Sequence, residues 1–314
     1  MPSNAAPILA LAGGVGGAKL ALGLSRILPP KDLVIVVNTG DDEEFHGLHV
    51  SPDLDTMMYT LSGLANPETG WGLADETFHT LKMLSSYGAD TWFNLGDKDL
   101  ATHIRRQQLL DQGLTLSEVT RDLCRALGVD HTIAPMSDDP VRTLLDTDEG
   151  ILSFQEYFVQ RKCEPRARGV SFQGAGEASP SPAFYAALDK ARAIVFCPSN
   201  PFLSLDPILV VKGVRELVAA FPGPRIAVSP IVGGAALRGP AAKMLEELGH
   251  PVSCLGVAQR YSGLWDQFIL DNADKTQAHA IQSLGMEPLV TNTVMNTTQD
   301  KEALALFICR LLER

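Results

Sequence analysis

Short apolar runs that alternate with amphipathic stretches constrain this chain more than any other feature. PILALA precedes AKLALGLSRIL, LVIVVN precedes LDTMMYTLSGL, and the later runs ARAIVFC, PRIAVS, HPVSCLGVA and EPLVTN are each followed by a helical pattern. Strands that alternate with helices form βαβ crossovers, which make the strands parallel and cover both faces of the sheet. We therefore predict an α/β fold with a doubly wound, mostly parallel, Rossmann-like sheet.

The middle of the chain departs from this alternation. Helical periodicity dominates its first part, TLSE at residues 115–118 is typical of a capping box, and its last part becomes strand-like. We expect one unit in which residues 1–70 and 176–314 form a nucleotide-binding α/β core. Residues 71–175 are expected to form an inserted subdomain of helices and strands.

The balance of charge argues against two classes of partner. The 314 residues include 26 Lys+Arg and 37 Asp+Glu, a net charge of −11, whereas a general grip on nucleic acid or anionic membrane needs a basic face. No basic stretch precedes the N-terminal apolar run, no run is long enough for a membrane span, and the cysteines are scattered without a C-x-x-C pair. We expect a cytoplasmic protein that acts on small molecules and binds neither nucleic acid nor membrane.

A glycine-rich turn joins the first predicted strand to the first predicted helix. In ALAGGVGGAKL the glycines are Gly13, Gly14, Gly16 and Gly17, and Lys19 follows them. Such a turn lets backbone N–H groups approach phosphate oxygens at a helix N-terminus, although the spacing matches neither the dinucleotide fingerprint nor the P-loop. We predict a phosphate-binding turn, in preference to glycines that serve close packing alone.

Six carboxylates follow the second predicted strand, in NTGDDEEFHGLHVSPDLDT. Ligands of an open α/β sheet lie beyond the carboxyl ends of its strands, so Asp41, Asp42, Asp53 and Asp55 are expected near the phosphate site. Carboxylates in that place are typical ligands of Mg²⁺ or general bases for a hydroxyl. The alternative is helix capping, with Ser51 as N-cap and the aspartates favoured by the helix dipole, and we expect it to hold in part.

Two later loops carry polar and glycine residues at strand ends. The loop CPSNPFLSLDPI begins at the end of the predicted strand AIVFC, and the loop SPIVGGAALRGPA begins at the end of the predicted strand PRIAVS. Hydroxyl, amide and backbone groups at strand ends are suited to binding a base or a ribose. With the glycine turn they predict one nucleotide-sized cleft, to which we assign Ser199, Asn200, Pro201, Ser204, Ser229 and Gly233.

The middle segment offers weaker candidates. Trp71 and Trp92 are candidates for stacking on an aromatic ligand, although tryptophans in amphipathic blocks more often belong to the core. Arg105 and Arg106 are expected to cover a helix face and to bind nothing.

Taken in order, these motifs resemble the 2-phospho-L-lactate transferase family of coenzyme F-420 biosynthesis. The resemblance rests on GGVGGAKL, NTGDD, HGLHVSPDLDTMMYTL, GWGLADETFHTL, LGDKDLATHI, PMSDDPVRT, FQEYFV, PSNPFLSLDPI and SPIVGGAALRGPA. It implies an enzyme that joins the deazaflavin Fo to the phosphoryl end of a guanosine diphosphate adduct and releases GMP. It also implies Mg²⁺, a nucleotide-binding α/β core and a homodimer.

The resemblance extends to single residues. It implies contacts to Fo at Asp55 and at Asn94. Archaeal members commonly have Lys at the position of Asn94, so here a hydrogen bond would replace a charge contact. We add Trp71 to the residues expected to bind Fo. The glycine turn and the PSNP loop match the guanosine diphosphate side. GGVGGAKL, in place of the archaeal GGTGTPKL, resembles the bacterial branch, which often uses an enolpyruvyl or another three-carbon phosphate in place of lactyl.

We interpret the sequence as that of a Mg²⁺-dependent phosphotransferase. Asp42 and Asp53 are the predicted metal ligands, and Asp55 is predicted to orient or deprotonate the ribityl hydroxyl of Fo. One alternative is a non-catalytic sugar-nucleotide-binding regulator similar to the gluconeogenesis-factor family. Another is an NAD-dependent oxidoreductase, which the glycine spacing and Asn38 at the end of the second strand disfavour. The sequence leaves open whether the acid is lactyl, enolpyruvyl or glyceryl.

Overall fold

A seven-stranded parallel sheet forms the centre of the molecule. The computed structural model describes residues 6–236 and 239–313. The strands in chain order are β1 (Ile8–Ala12), β2 (Leu33–Val37), β3 (Glu43–Phe45), β4 (Leu48–Val50), β5 (Thr132–Pro135), β6 (Arg142–Thr147), β7 (Gly150–Ser153), β8 (Ala167–Gln173), β9 (Ala193–Phe196), β10 (Arg225–Val228), β11 (Ile231–Val232), β12 (Ala235–Ala236), β13 (Gln267–Asp271) and β14 (Glu287–Thr291). The order across the central sheet is β14-β13-β10-β9-β1-β2-β5, and each neighbouring pair is parallel. The predicted fold class is confirmed.

Helices cover both faces of this sheet. In chain order they are α1 (Gly14–Ile27), α2 (Pro52–Ser62), α3 (His79–Ser86), α4 (Asp97–Asp111), α5 (Leu116–Ala126), α6 (Pro182–Lys190), α7 (Asp206–Val210), α8 (Val214–Ala219), α9 (Ala241–Glu247), α10 (Cys254–Arg260), α11 (Ala278–Gln282) and α12 (Thr298–Leu311). The run HPVSCLGVA, predicted as a strand, lies partly in α10 instead, because Ser253 caps this helix by accepting a hydrogen bond from the N–H of Gly256. In the described residues, no helix combines the length and the apolar character needed to cross a bilayer.

The alternation of side chains along β1 explains why the strands are apolar throughout. Successive residues of a strand point to opposite faces of the sheet. Ile8 and Ala10 join the core that contains side chains of α1, α2, α5 and α12, whereas Leu9 and Leu11 join the core that contains side chains of α6–α11. Because both faces are buried, a polar residue would be costly at either set of positions.

The direction of the strand order changes beside β1. From β1 the chain proceeds to β2 and β5 on one side, and later to β9, β10, β13 and β14 on the other. In open α/β sheets the ligand crevice lies at such a switch point, outside the carboxyl ends of the strands. Here the glycine turn follows β1 and the PSNP loop follows β9, its direct neighbour, so the topology brings the two predicted loops together.

The middle segment, predicted as an inserted subdomain packed on the core, also contributes one strand to the central sheet. β5 pairs in parallel with β2 through Val34 and Thr132, at the edge of the central sheet. Helices α3–α5 precede it, and β6, β7 and β8 form a separate antiparallel sheet after it. A four-residue strand that ends in proline leaves too short an apolar run to be recognised within a helical pattern.

Two predicted helix starts are present. Thr115 and Glu118 form the capping box of α5, each side chain accepting a hydrogen bond from the other residue's N–H. Helix α2 begins at Pro52 with Ser51 at the N-cap position, but the Ser51 hydroxyl makes no cap hydrogen bond and donates to Asp42 instead.

Candidate active site

A cavity of about 680 Å³ lies at the carboxyl ends of β1, β2, β9 and β10. Most of the residues predicted to bind or react line it: Gly13, Gly14, Gly16, Lys19, Asp53, Asp55, Trp71, Asn94, Ser199, Asn200, Ser204 and Ser229. Four residues predicted for the site do not belong to the lining formed by the described residues: Gly17, Asp42, Pro201 and Gly233. The volume is typical of a site for a small molecule or a cofactor.

The glycine turn packs closely against the loop after β9. A Cβ on Gly13 would lie 2.5 Å from the Cβ of Ser204, and one on Gly16 would lie 2.3 Å from the carbonyl oxygen of Pro198. Ser199 Oγ accepts a hydrogen bond from the N–H of Gly13 at 3.2 Å and donates to its carbonyl at 2.9 Å. The glycines therefore allow close packing, which was the alternative to a phosphate-binding turn. They also place the N-terminus of α1 at the cavity.

The strand-end loops use much of their polarity to hold their own shape. Asn200 Oδ1 accepts from the N–H groups of Phe202 and Leu203, at 3.0 and 3.3 Å. Ser229 Oγ donates to the carbonyl of Ile231 at 2.8 Å and accepts from its N–H at 3.2 Å. Residues 237 and 238 of the second loop lie outside the described residues. In the described part of both loops, these hydrogen bonds fix the backbone at residues 200–203 and 229–231.

Asn38 gathers two carboxylates at the end of β2. Its Nδ2 lies 3.0 Å from Asp41 Oδ1 and 3.0 Å from Asp53 Oδ2, and donates to both. Burial, together with repulsion from Asp53 and Asp42, raises the pKa of Asp41 well above its usual value. Burial raises the pKa of Asp53 to about 6. A divalent cation held by both carboxylates would relieve this repulsion, so the pair fits Mg²⁺.

Asp42, predicted as a metal ligand beside Asp53, is engaged elsewhere. Its Oδ2 accepts a hydrogen bond from Ser51 Oγ at 2.8 Å and lies 2.9 Å from His49 Nε2. The side chain links the loop after β2 to the start of α2. The neighbouring Asp41 lines the cavity in its place. The conformation of the turn determines which of the two aspartates faces the cavity, and two adjacent aspartates in a sequence do not reveal that conformation.

Asp55 forms an ion pair that the sequence did not predict. Both of its carboxylate oxygens accept hydrogen bonds from the guanidinium of Arg106 on α4, the Nη1–Oδ2 bond at 3.1 Å. Arg106 is 1% exposed, so the expectation that it covers a helix face is wrong. Its neighbour Arg105 is half exposed and lies 3.4 Å from Asp122. The pKa of Arg106 is raised despite burial, because Asp55 stabilises its charge.

Three further polar side chains extend this ion pair along the cavity wall. His103 lies with Nε2 3.4 Å from Asp99 Oδ2, and Asp99 Oδ1 accepts a 2.6 Å hydrogen bond from the hydroxyl of Tyr59. All three line the cavity. Spacings of four and three residues place Asp99, His103 and Arg106 on one face of α4. This spacing is visible in the sequence, but it did not predict a buried polar cluster because polar faces of helices are usually solvated.

The cavity also has an aromatic and apolar lining. Val50, Trp71, Phe93, Phe154 and Phe158 contribute to it, and the Phe154 and Phe158 rings are stacked at 5.4 Å. Aromatic side chains of this kind are suited to a planar ring system. Phe154 and Phe158 were not among the predicted residues, since FQEYFV gives no periodic signal that separates a ligand contact from the core.

The model of the family described as 2-phospho-L-lactate transferase CofD matches residues 8–305 of the chain. The chain belongs to this family. The match runs from β1 into the last helix, α12, so the CofD assignment covers both the sheet and the cavity residues. Membership makes the protein an enzyme of the transferase class.

Relatives of this chain are named as two different transferases. The 2-phospho-L-lactate transferase of Methanosarcina mazei is 39% identical over 298 residues, covering 95% of this chain and 98% of its own. The phosphoenolpyruvate transferase of Streptomyces coelicolor is 42% identical over 310 residues, covering 95% and 97%. The chain is therefore comparably similar to transferases named for two three-carbon acids.

A solved structure shares the CofD fold at low sequence identity. A member of the UPF0052 family from Bacillus halodurans superimposes with a TM-score of 0.61 at 13% identity, covering 96% of this chain and 99% of its own. At this identity the likeness concerns the architecture alone.

Proposed function

We propose that the protein transfers a phospho-three-carbon-acid group from a guanosine diphosphate adduct to the ribityl hydroxyl of the deazaflavin Fo. GMP is released, and the reaction belongs to coenzyme F-420 biosynthesis. The observation that carries the proposal is that one cavity is lined by the glycine turn, by four aspartates and by aromatic rings. A nucleotide diphosphate, a metal and a planar acceptor are the partners these groups suit.

Helix α2 provides the connection between the two substrates. Asp53 Oδ2 lies against the glycine turn, 2.8 Å from where a Cβ of Gly13 would be. Asp55 follows two residues later, and Tyr59 lies one turn beyond Asp55 on the same face. The diphosphate is proposed to bind at the glycine turn beside Lys19, with the acceptor hydroxyl at Asp55.

Asp41 and Asp53 would hold the Mg²⁺ ion, since both line the cavity and repel each other when ionised. When bound, the ion would neutralise charge that develops on the diphosphate oxygens. The sequence predicted Asp42 as this ligand. Asp41 is proposed in its place because Asp41 lines the cavity and Asp42 does not belong to the described lining.

The proposed transfer is a single displacement at the β-phosphorus. The ribityl oxygen forms a bond to phosphorus, the bridging P–O bond breaks, and GMP leaves with the electron pair. Asp55 orients the hydroxyl and receives its proton as the new bond forms. Catalysis in such reactions rests mainly on positioning and on electrostatic stabilisation, for which a buried carboxylate held in one orientation is suited.

We propose that the enzyme is a cytoplasmic homodimer. Helix α3 buries one of its apolar side chains, Leu81, while Phe78, Met83 and Tyr87 on and beside it are exposed. A group of exposed apolar side chains is typical of an interaction surface. Light scattering of the purified protein tests the assembly, and a monomer at all concentrations would contradict it.

The decisive experiment is a mass-spectrometric assay of the purified protein. It contains Fo and Mg²⁺ and, in parallel, the lactyl, enolpyruvyl and phosphoglyceryl adducts of guanosine diphosphate, because relatives of this chain are named for two of these acids. Formation of an Fo phosphodiester together with GMP would support the proposal and identify the acid. Folded protein that yields no product from any adduct would overturn it and favour the non-catalytic nucleotide-binding regulator.

A further inference from the structure

Arg106 holds Asp55 from behind the cavity wall. Asp55 lines the cavity, whereas Arg106 does not belong to its described lining and is almost completely buried. The guanidinium donates to both oxygens of Asp55 and, at 3.3 Å, to the carbonyl of His49. A carboxylate held through both oxygens by a planar, rigid donor has its orientation fixed and keeps lone pairs for a partner on its other side.

The same guanidinium lies against His103. Nη1 of Arg106 is 3.1 Å from Nδ1 of His103, and Nε2 of that ring lies 3.4 Å from Asp99 Oδ2. Asp99 accepts a hydrogen bond from the hydroxyl of Tyr59. Arg106 therefore contacts both Asp55 and His103, at one end of the polar wall that continues to Tyr59.

A metal ion is the competing interpretation of this cluster. Asp55, Asp99 and His103 each offer a ligand atom, and these atoms lie within 4.8 Å of one another. The guanidinium already lies 3.1 Å from both Asp55 Oδ2 and His103 Nδ1. It supplies the positive charge that a metal would supply and repels a second cation, so the cluster is better described as an arginine-centred network.

We propose that Arg106 is a positioning residue for the transfer, acting through Asp55. This assignment rests on the proposed function. Arg106 does not touch the substrate; it holds the carboxylate of Asp55 at the place where the attacking hydroxyl must be oriented. Small displacements of a reacting group have large effects on rate, since a shift of about 1 Å costs about 100-fold. The residue therefore acts on kcat more than on the binding of the guanosine diphosphate adduct.

The test is a double-mutant cycle on the purified full-length enzyme. Arg106→Lys, Arg106→Gln, Asp55→Asn and the double variant Asp55→Asn/Arg106→Gln are compared with wild type, using Fo and the adduct that wild type turns over. Arg105→Gln is the matched control, because Arg105 is adjacent, of the same type and half exposed. The double variant removes both charges, which avoids an unpaired buried ion if Arg106→Gln does not fold. Circular dichroism and a GDP-binding titration establish that each variant is folded.

We expect Arg106→Lys to lower kcat about 100-fold and to change KM for the adduct less than about 2-fold, since lysine cannot donate to both oxygens in one plane. Arg105→Gln should behave as wild type. The double variant should be no slower than Asp55→Asn alone, because residues that act as a unit are not additive.

Wild-type kcat in Arg106→Lys, or a loss in the double variant equal to the product of the two single losses, would overturn the assignment while leaving the proposed function intact. Absence of turnover in wild type would overturn the proposed function and this assignment with it.

Discussion

The side-chain amide of Asn38 donates a 3.0 Å hydrogen bond to Asp53 and so joins the end of β2 to the first turn of α2. The same nitrogen donates to Asp41. One neutral amide thus holds two buried carboxylates within reach of each other, at the edge of the sheet where the cavity opens. Burial raises the pKa of both carboxyls, although the hydrogen bond from Asn38 lowers that of Asp53, and two carboxylates this close together favour a bound cation.

Removing the charge of Asp53 should abolish most activity. We expect Asp53→Asn to lower kcat about 100-fold or more, because it removes a charged ligand of the proposed Mg²⁺ ion and so weakens the electrostatic stabilisation of the diphosphate. The Mg²⁺ concentration needed for half-maximal rate should rise as well. Steady-state kinetics over a Mg²⁺ series measures both, with Glu44→Gln as the control, since Glu44 is an exposed carboxylate in β3, between the end of β2 and α2. An unchanged Mg²⁺ dependence in Asp53→Asn would exclude Asp53 as a ligand.

The stability of the metal-free protein should fall as the pH rises through 6. The folded-state pKa of Asp53, about 6, lies above the ordinary value of 3.8, so the folded state binds more protons between these pH values. The contribution is present in full below pH 3.8 and is lost as the pH rises through 6, each pKa unit corresponding to about 1.4 kcal/mol. Urea unfolding in EDTA at pH 5 and 7.5 measures it. The Asp53→Asn protein should show a smaller pH dependence; equal dependence in both would contradict the prediction.

A side chain on the glycine turn should destabilise the protein and impair turnover. In Gly16→Ala the new Cβ would lie 2.3 Å from the carbonyl oxygen of Pro198, so the two loops must separate. We expect a loss of about 1–3 kcal/mol in the free energy of unfolding and weaker GDP binding. Gly176→Ala is the control, because the surroundings of Gly176 are open. If both variants unfold at the same urea concentration, the close approach of the loops is not required.

Trp71 should contribute to the affinity for the aromatic substrate. It lines the cavity although it is 52% exposed, and stacking on a planar ring is worth about 0.5–1.5 kcal/mol. We expect Trp71→Ala to raise KM for Fo about 2- to 12-fold and to leave KM for the guanosine diphosphate adduct unchanged. Tyr185→Ala, at an exposed aromatic on α6, should change neither. A rise in KM for the adduct alone would place Trp71 on the nucleotide side.

The parallel sheet and its loops could be predicted because their signals are local. A strand buried on both faces is a continuous apolar run, as in β1 and β2, and a glycine cluster between strand and helix is visible without any partner. The short strand β5 could not be recognised, since four residues carry no period. Membership of the family also followed from motifs in order along the chain.

The sequence alone determined the fold class, the family, and the set of loops that line the cavity, because hydrophobic periodicity and turn residues act between near neighbours in the chain. Tertiary structure decided where each carboxylate lies. The conformation of a turn places Asp41 rather than Asp42 in the cavity lining. Asp55 forms an ion pair with Arg106, which lies 51 residues away in the sequence. Ion pairs and shared hydrogen bonds between distant residues depend on how helices pack, and no local pattern encodes that packing.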